Sequence, residues 1–244
     1  MNISLLLNTH QNSPVFQDTL DSVITYATKN VLVLVDGVAW NEFQNYDCPT
    51  SIMRGFRHGF HKSPYRNVAL GLKMLYEKWP ESDWFCYSEY DVLFASSKFK
   101  SNLKAAQEKE IWMMGSDGHI DDKEMPLIEA MLGGKFRSYY YLLGCCQFFY
   151  KDFMKKLHDI DFFDRFLNLT NQFTEGFMPG YAAYDLSEHL YPSLCRQFGG
   201  NVGVFSSYDE HGQWHGHYRS YPIRWSPQLD DETENFPEIG RAHV

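Results

Sequence analysis

The sequence has no apolar run that approaches the roughly 20 residues needed to span a bilayer. It also has no basic leader with a cleavage site, since the chain opens directly into an apolar run at residues 3–7. Its 5 cysteines include no CxxC spacing, which is typical of reduced packing residues. We therefore expect a cytoplasmic protein without a membrane span, a disulfide framework or a cysteine-based zinc site.

Basic residues are outnumbered, with 22 Lys and Arg against 31 Asp and Glu, for a net charge of −9. Such an acidic chain offers no basic face for nucleic acid or anionic membranes, so no nucleic-acid partner is expected. The composition, 44% apolar and 22% charged, is that of a globular protein. Its 244 residues suit one α/β domain.

Two kinds of segment alternate along the chain. Short apolar runs without polar alternation predict strands covered on both faces, at residues 3–7, 31–35, 84–87, 111–114, 142–149 and 202–205. Helical spacing of apolar residues separates them at 16–27, after Ser13 and Pro14, and at 68–79, after Ser63 and Pro64. The alternation predicts a mostly parallel sheet flanked by helices.

The second half predicts further helices at residues 98–109, 122–132, 151–158 and 183–198. Pro192 lies inside the last of these and is expected to kink or split it. No linker divides the chain, so we expect a single domain over residues 1–230 and a disordered tail over 231–244. Residues 238–244 read like a translated sequencing adapter, and we treat them as a hypothetical artefact.

Two carboxylates, Glu89 and Asp91, follow the predicted strand at 84–87. In an open α/β sheet, ligands bind beyond the carboxyl ends of the strands. Carboxylates one residue apart at such an edge can face a common point and hold a hard cation. The pair alone is a weak signal, because a solvated strand end with Asp91 starting a turn explains it equally well.

Four other polar features accompany this pair. Asp36 ends the strand at 31–35, and Arg66 lies where a helix starts and anions are favoured. Asp185 and Glu188 stand three residues apart, on one face of a predicted helix. The segment 215–219 adds imidazole and guanidinium groups after the last predicted strand.

Taken in chain order, these segments resemble the GT-A (Rossmann-like) glycosyltransferases, especially family-2-like inverting enzymes. The resemblance covers residues 3–225 and rests on six segments: Val-Asp-Gly at 35–37, Tyr-Arg-Asn at 65–67, Glu-Tyr-Asp at 89–91, the glycine strand at 144–150, Tyr-Asp at 184–185 and Gly-His-Tyr-Arg at 216–219. The family's Q-x-x-R-W element is missing, which argues against a processive polysaccharide synthase.

The resemblance implies metal-dependent transfer of a sugar, with inversion, from a nucleotide-diphosphate donor to an acceptor hydroxyl. It implies Asp91 and His217 as ligands of Mn²⁺ or Mg²⁺, and Glu89 as a contact of the ribose or of a metal-bound water. Asp185 is the expected general base, with Glu188 in reserve.

The other nucleotide contacts follow from the same resemblance. Asp36 is expected to accept from the base, and Thr9 and His10 to line the nucleotide pocket. Arg66 and Arg219 are candidates for the phosphates, because a guanidinium matches phosphate oxygens. The acceptor implied by the resemblance is a carbohydrate, a lipid-linked molecule or another hydroxyl compound.

Three other functions remain open. A sugar-1-phosphate nucleotidylyltransferase shares the fold but needs a glycine-rich loop where this chain has residues 8–13, which contain no glycine. A zinc-dependent hydrolase could use His211, His215 and His217, although no H-E-x-x-H motif supports it. A non-catalytic carbohydrate-binding module would have no affinity for nucleotides.

Overall fold

The computed structural model describes residues 1–57, 65–115, 118–173, 185–205 and 223–225. The strands are β1 (Ile3–Thr9), β2 (Val31–Val35), β3 (Ser51–Arg54), β4 (Trp84–Glu89), β5 (Val92–Phe94), β6 (Ile111–Gly115), β7 (Gly118–Asp121), β8 (Tyr139–Leu142), β9 (Cys146–Tyr150), β10 (Asn201–Val204) and β11 (Ile223–Trp225). The α-helices are α1 (Pro14–Ser22), α2 (Tyr65–Lys78), α3 (Phe99–Glu108), α4 (Pro126–Leu132), α5 (Lys151–Asp159), α6 (Phe162–Thr170) and α7 (Asp185–Gln197). A π-helical turn, Val23–Ala27, extends α1, and a 3-10 turn spans Trp40–Phe43.

Seven strands form one sheet in the order β10-β6-β9-β4-β1-β2-β3. All neighbours in it are parallel except β9, which runs antiparallel to both β4 and β6. Two small sheets accompany it, β5 with β11 and β7 with β8, both antiparallel. The predicted fold class, a mostly parallel α/β sheet flanked by helices, is confirmed.

The sheet is apolar on both faces, as its unalternating strands predict. Leu6 faces the core beneath α2 and α7, whereas Leu5 and Leu7 face the core beneath α1 and α3, because successive strand side chains point to opposite faces. Full burial of one such leucine contributes about 1.5–3 kcal/mol. Gly71 of α2 lies so near the sheet that an added Cβ would come within 2.4 Å of Leu6 Cδ2.

Local signals set several helix ends. The Ser13 hydroxyl accepts from the Phe16 N–H at 3.3 Å and caps α1, and Gly133 ends α4 with a φ of 88°. The start predicted for α4 at residue 122 is wrong. The helix begins at Pro126, because proline suits a first helical position and disfavours helical backbone in the residue before it.

Other elements differ from the sequence prediction. The apolar run at 142–149 is not one strand: it begins at the last residue of β8, passes through a connection around Gly144 and continues into β9. Pro192 does not split α7, which runs unbroken from Asp185 to Gln197. The strands β3, β5, β7 and β11 and the helix α6 were not predicted. The predicted tail, 231–244, lies outside the described residues. None of the described helices has the length and apolarity needed to cross a membrane.

Candidate active site

The order in which strands are added to the sheet reverses at β1. From β1 the chain adds β2 and β3 on one side and then returns to place β4 on the other, so β1 has parallel neighbours on both sides. In open α/β sheets, the crevice outside the carboxyl ends of the strands at such a switch point binds ligands. The strands here end at Thr9, Val35 and Glu89. His10 and Asp36 directly follow the first two ends, and Asp91 comes two residues after Glu89.

Glu89 and Asp91 form the acidic centre of this crevice. The Glu89 N–H donates to the Cys145 carbonyl at 2.9 Å, which ties the end of β4 to the β8–β9 connection. Burial of the carboxyl and the nearby charges of Asp91 and Glu188 raise the pKa of Glu89 to about 8. The Tyr87 hydroxyl donates to Glu89 Oε1 at 3.2 Å and partly offsets this rise. The carboxylates repel one another, which is the electrostatic setting that a cation relieves.

The end of β1 is held against both neighbouring strand ends. The Asp36 N–H donates to the Thr9 carbonyl at 2.8 Å, and the His10 ring meets the Tyr90 ring edge-on at 4.7 Å. The Thr9 hydroxyl donates to the Gln11 carbonyl at 2.7 Å and so stabilises the turn that follows β1. Asp36 Oδ1 accepts from the Val38 N–H at 2.8 Å. The structure thus brings Thr9, His10 and Asp36 to the edge that holds the acidic centre.

Arg66 lies at a different part of this edge. Its guanidinium carbon is 3.9 Å from the centre of the Phe56 ring, which follows β3, and it donates to Asn171 Oδ1 after α6. Strands β2 and β1 separate β3 from β4, which at a spacing of about 4.8 Å places the two strands about 14 Å apart. Arg66 therefore lies nearer to the ends of β2 and β3 than to the acidic centre.

Arg66 is a buried cation, with 7% of its surface exposed. Its Nε has no hydrogen-bond partner, and no carboxylate in the described part of the chain forms an ion pair with it. Burial lowers the pKa of the guanidinium, which nevertheless stays charged. The described residues supply no counter-ion to this buried charge, and because an unpaired buried charge is costly, they favour an anion here.

Glu188 approaches the acidic centre from α7. Its Oε1 accepts from the Gly144 N–H at 3.1 Å, and its carboxylate also hydrogen bonds the Tyr141 side chain. Burial raises the pKa of Glu188, while these two hydrogen bonds and the charge of Lys123 oppose the rise. The charge of Glu188 in turn reaches Glu89 and helps to raise its pKa.

Four predicted site residues, and the side chain of a fifth, lie outside the described part of the chain. Asp185 is the first residue of α7, and its side chain lies outside the described part. His211, His215, His217 and Arg219 also lie outside the described residues. The next described segment, β11, pairs with β5, whose first residue directly follows Asp91.

A complete metal site is not formed by the described residues alone. Among them, no group of three or more His, Cys, Asp and Glu side chains could hold a metal ion. Carboxylate oxygens are nevertheless ligands that suit Mn²⁺ and Mg²⁺, and the repulsion between Glu89 and Asp91 favours a cation. The residues present therefore fit such an ion in part, with further ligands still to be supplied.

Sequence reasoning missed the groups that hold the site together. Gly144 and Tyr141 bind Glu188, and Phe56 and Asn171 surround Arg66, yet no spacing in the sequence links these residues to their partners. Asn8 was also missed. It is the register partner of Glu89, and its side-chain oxygen is buried without a hydrogen-bond partner, so a polar residue near the end of an apolar strand was the available signal.

Comparisons with known proteins add a fold likeness only. No family model and no curated protein matches the sequence. Among solved structures, a glycosyltransferase involved in glycosylation of the major capsid of PBCV-1 is 12% identical, with 96% of this chain and 100% of that chain covered and a TM-score of 0.49. A cytidylyltransferase from Leptospira borgpetersenii is 11% identical, with coverages of 98% and 96% and a TM-score of 0.48.

The bifunctional IspDF from Campylobacter jejuni is also similar, at 10% identity and a TM-score of 0.45. The match covers 88% of this chain and 52% of that one, so the chain spans about half the length of IspDF. These proteins carry out different reactions, and likeness at this level carries no argument about which reaction this chain performs.

Proposed function

We propose that this chain is a glycosyltransferase that moves a sugar from a nucleotide-diphosphate donor to an acceptor hydroxyl, with inversion and with Mn²⁺ or Mg²⁺. The observation that carries the proposal is the pair Glu89 and Asp91 at the switch-point edge of the sheet, with Glu188 of α7 within electrostatic reach of Glu89. Carboxylates from two separate elements there could serve both a cation and a proton transfer.

The donor nucleotide is proposed to lie along the ends of β2, β1 and β4. Asp36 would accept from the base, with Thr9 and His10 beside it. Support comes from the Asp36–Thr9 hydrogen bond and the His10–Tyr90 contact, which hold these strand ends against one another. Arg66 is a buried cation with which an anionic donor group could pair, and Arg219 remains a second candidate from the sequence.

Asp91 and His217 are the proposed metal ligands, with Glu89 contacting the ribose or a metal-bound water. When bound, a divalent cation would neutralise the charge that develops on the departing diphosphate. Asp91 supports the assignment because it is 6% exposed and comes two residues after Glu89, the last residue of β4 and a second carboxylate. His217 rests on the sequence resemblance alone.

The general base is proposed to lie on α7. Asp185 is favoured by the resemblance, but the described contacts favour Glu188, whose carboxylate is fixed by the Gly144 N–H and lies within electrostatic reach of Glu89. Glu188 would take the proton of the acceptor hydroxyl as that oxygen bonds to the anomeric carbon. The bond from the anomeric carbon to the diphosphate oxygen breaks on the opposite face.

The first test is a panel of UDP, GDP, dTDP and CDP, each with and without Mn²⁺, followed by thermal unfolding. The proposal expects at least one nucleotide to raise Tm only when Mn²⁺ is present. Sugar derivatives of that nucleotide should then lose the nucleoside diphosphate and yield a product of inverted anomeric configuration. Release of pyrophosphate from a nucleoside triphosphate would indicate a nucleotidylyltransferase, and stabilisation by Zn²⁺ alone would favour a hydrolase.

A further inference from the structure

Gln147 is a fully buried amide in an otherwise apolar part of the sheet. It lies on β9 opposite Tyr87 of β4, is 0% exposed, and is followed by Phe148 and Phe149. A polar side chain in such a place is costly unless it is hydrogen bonded. The positions of its partners therefore indicate what it does.

Both hydrogens of the Gln147 amide are used. Its Nε2 donates to the Leu142 carbonyl at 2.9 Å and to the Ser187 carbonyl at 3.2 Å. Because only the NH₂ end can donate to two carbonyls, these partners fix which way the amide points. Its Oε1 is buried without a hydrogen-bond partner, so this orientation is kept at the cost of one unsatisfied acceptor.

The two carbonyls belong to residues close in sequence to the two partners of the Gly144–Glu188 hydrogen bond. Leu142 ends β8 two residues before Gly144, whose N–H binds Glu188 Oε1, and Ser187 directly precedes Glu188 on α7. The Gln147 amide therefore links the end of β8, which leads to Gly144, to the turn of α7 that carries Glu188.

The turn of α7 that carries Glu188 lacks one helical hydrogen bond. In an α-helix the carbonyl of Glu188 would accept from the N–H of residue 192, but Pro192 has no N–H. The turn that carries the carboxylate therefore lacks one of its own hydrogen bonds. The Gln147 amide supplies a donor from the sheet to the adjacent carbonyl of Ser187.

We infer that Gln147 is a positioning residue, which holds the weakened turn of α7 against β8 so that the Glu188 carboxylate stays directed at the acidic centre. The inference rests on the proposed function, in which Glu188 takes the acceptor proton. It assigns Gln147 no contact with donor or acceptor. Its loss should therefore reduce the rate of transfer without weakening donor binding.

The test is Gln147→Met, which keeps the length of the side chain but removes both donors. Gln107→Met is the matched control, because Gln107 is an exposed residue of α3 whose amide donates to Tyr150 far from α7. We expect kcat for transfer to fall by about 10- to 100-fold in Gln147→Met, since misplacing a catalytic group by about 1 Å can cost 10²-fold. The donor KM and Kd should stay within twofold of wild type, and Gln107→Met should match wild type.

Hydrogen exchange gives a readout that does not depend on turnover. Amides of residues 186–191 should exchange at least tenfold faster in Gln147→Met, with β1 and β2 unchanged. If that variant does not fold, Pro192→Ala tests the same device. It restores the missing N–H of the turn, so exchange at residues 186–191 should slow, with kcat no lower than in wild type and donor Kd unchanged.

The outcomes separate the two claims. If the wild type is active and the variants keep wild-type kcat and wild-type hydrogen exchange, the role of Gln147 is overturned and the proposed function is not. Equal losses of kcat and donor affinity also overturn it, because they indicate general structural damage. A wild type that turns over no nucleotide sugar overturns the proposed function, and the catalytic role of Gln147 falls with it.

Discussion

The Gly144 backbone N–H donates a 3.1 Å hydrogen bond to Oε1 of Glu188, across 44 residues of sequence. The same glycine approaches Glu188 so closely that an added Cβ would lie 2.8 Å from the Glu188 Cγ. The contact joins the β8–β9 connection to α7 and places a fixed carboxylate near Glu89. The position of the proposed base therefore depends on a glycine in a strand connection.

Replacing this glycine tests the contact. In Gly144→Ala the Glu188 side chain must shift, so we expect kcat for transfer to fall at least tenfold, by about 1.4 kcal/mol of activation free energy, with donor affinity unchanged. Gly134→Ala is the control, because an added Cβ there meets nothing within 4 Å. Steady-state kinetics decide the matter, and a Gly144→Ala enzyme with wild-type kcat would refute the positional argument.

Removing the Tyr141 hydroxyl tests the ionisation of Glu188. That hydrogen bond lowers the pKa of Glu188 against the effect of burial, so Tyr141→Phe should raise the pKa. A general base works only when deprotonated, and the acid limb of kcat should therefore move to higher pH. Lys123 and the Gly144 N–H, which also favour the charged form, and Glu89, which opposes it, remain in both proteins.

The measurement is a pH–rate profile of Tyr141→Phe beside Tyr26→Phe, a substitution at a tyrosine that is 39% exposed. An acid limb that stays in place or moves to lower pH would contradict the assignment of Glu188. In that case the same profile measured on Asp185→Asn decides whether Asp185, the base favoured by the sequence, takes the proton.

Arg66→Gln tests the buried cation. Loss of a charged hydrogen bond costs about 1.5–3 kcal/mol, so the Kd for the nucleoside diphosphate should rise about 10- to 100-fold. Binding should also become less sensitive to salt, since one charge pair has been removed. Arg137→Gln, at an exposed position, is the control. Calorimetric titration that returns equal affinities for the two variants would exclude Arg66 from the nucleotide site.

The elements predicted correctly are those with a strong local signal. The apolar runs of β1, β2 and β4 bury their side chains only in a sheet that is covered on both faces. Ser13 caps α1, as its place before Pro14 predicts. The carboxylates Glu89 and Asp91 could be placed at a strand end because they come shortly after the apolar run at 84–87.

The elements missed depend on tertiary contacts. The apolar run at 142–149 continues through the connection between β8 and β9, so apolarity alone gave no reason to break it. The strand β3 is only partly buried at the sheet edge and has no apolar run. Glu188 was named from the sequence as the reserve base, but its contacts were missed for the same reason, since Gly144 and Gln147 reach α7 only once β9 pairs with β4.

The central claim is that the acidic edge beside β4 holds a divalent cation and a nucleoside diphosphate together. It is tested most directly by calorimetric titration of the nucleotide selected in the thermal panel, with and without Mn²⁺, into wild type, Asp91→Asn and the distant control Asp159→Asn. We predict Mn²⁺-dependent binding in wild type and Asp159→Asn, and its loss in a folded Asp91→Asn. Nucleotide binding of equal strength in Asp91→Asn, or binding that ignores Mn²⁺ in the wild type, would contradict the account.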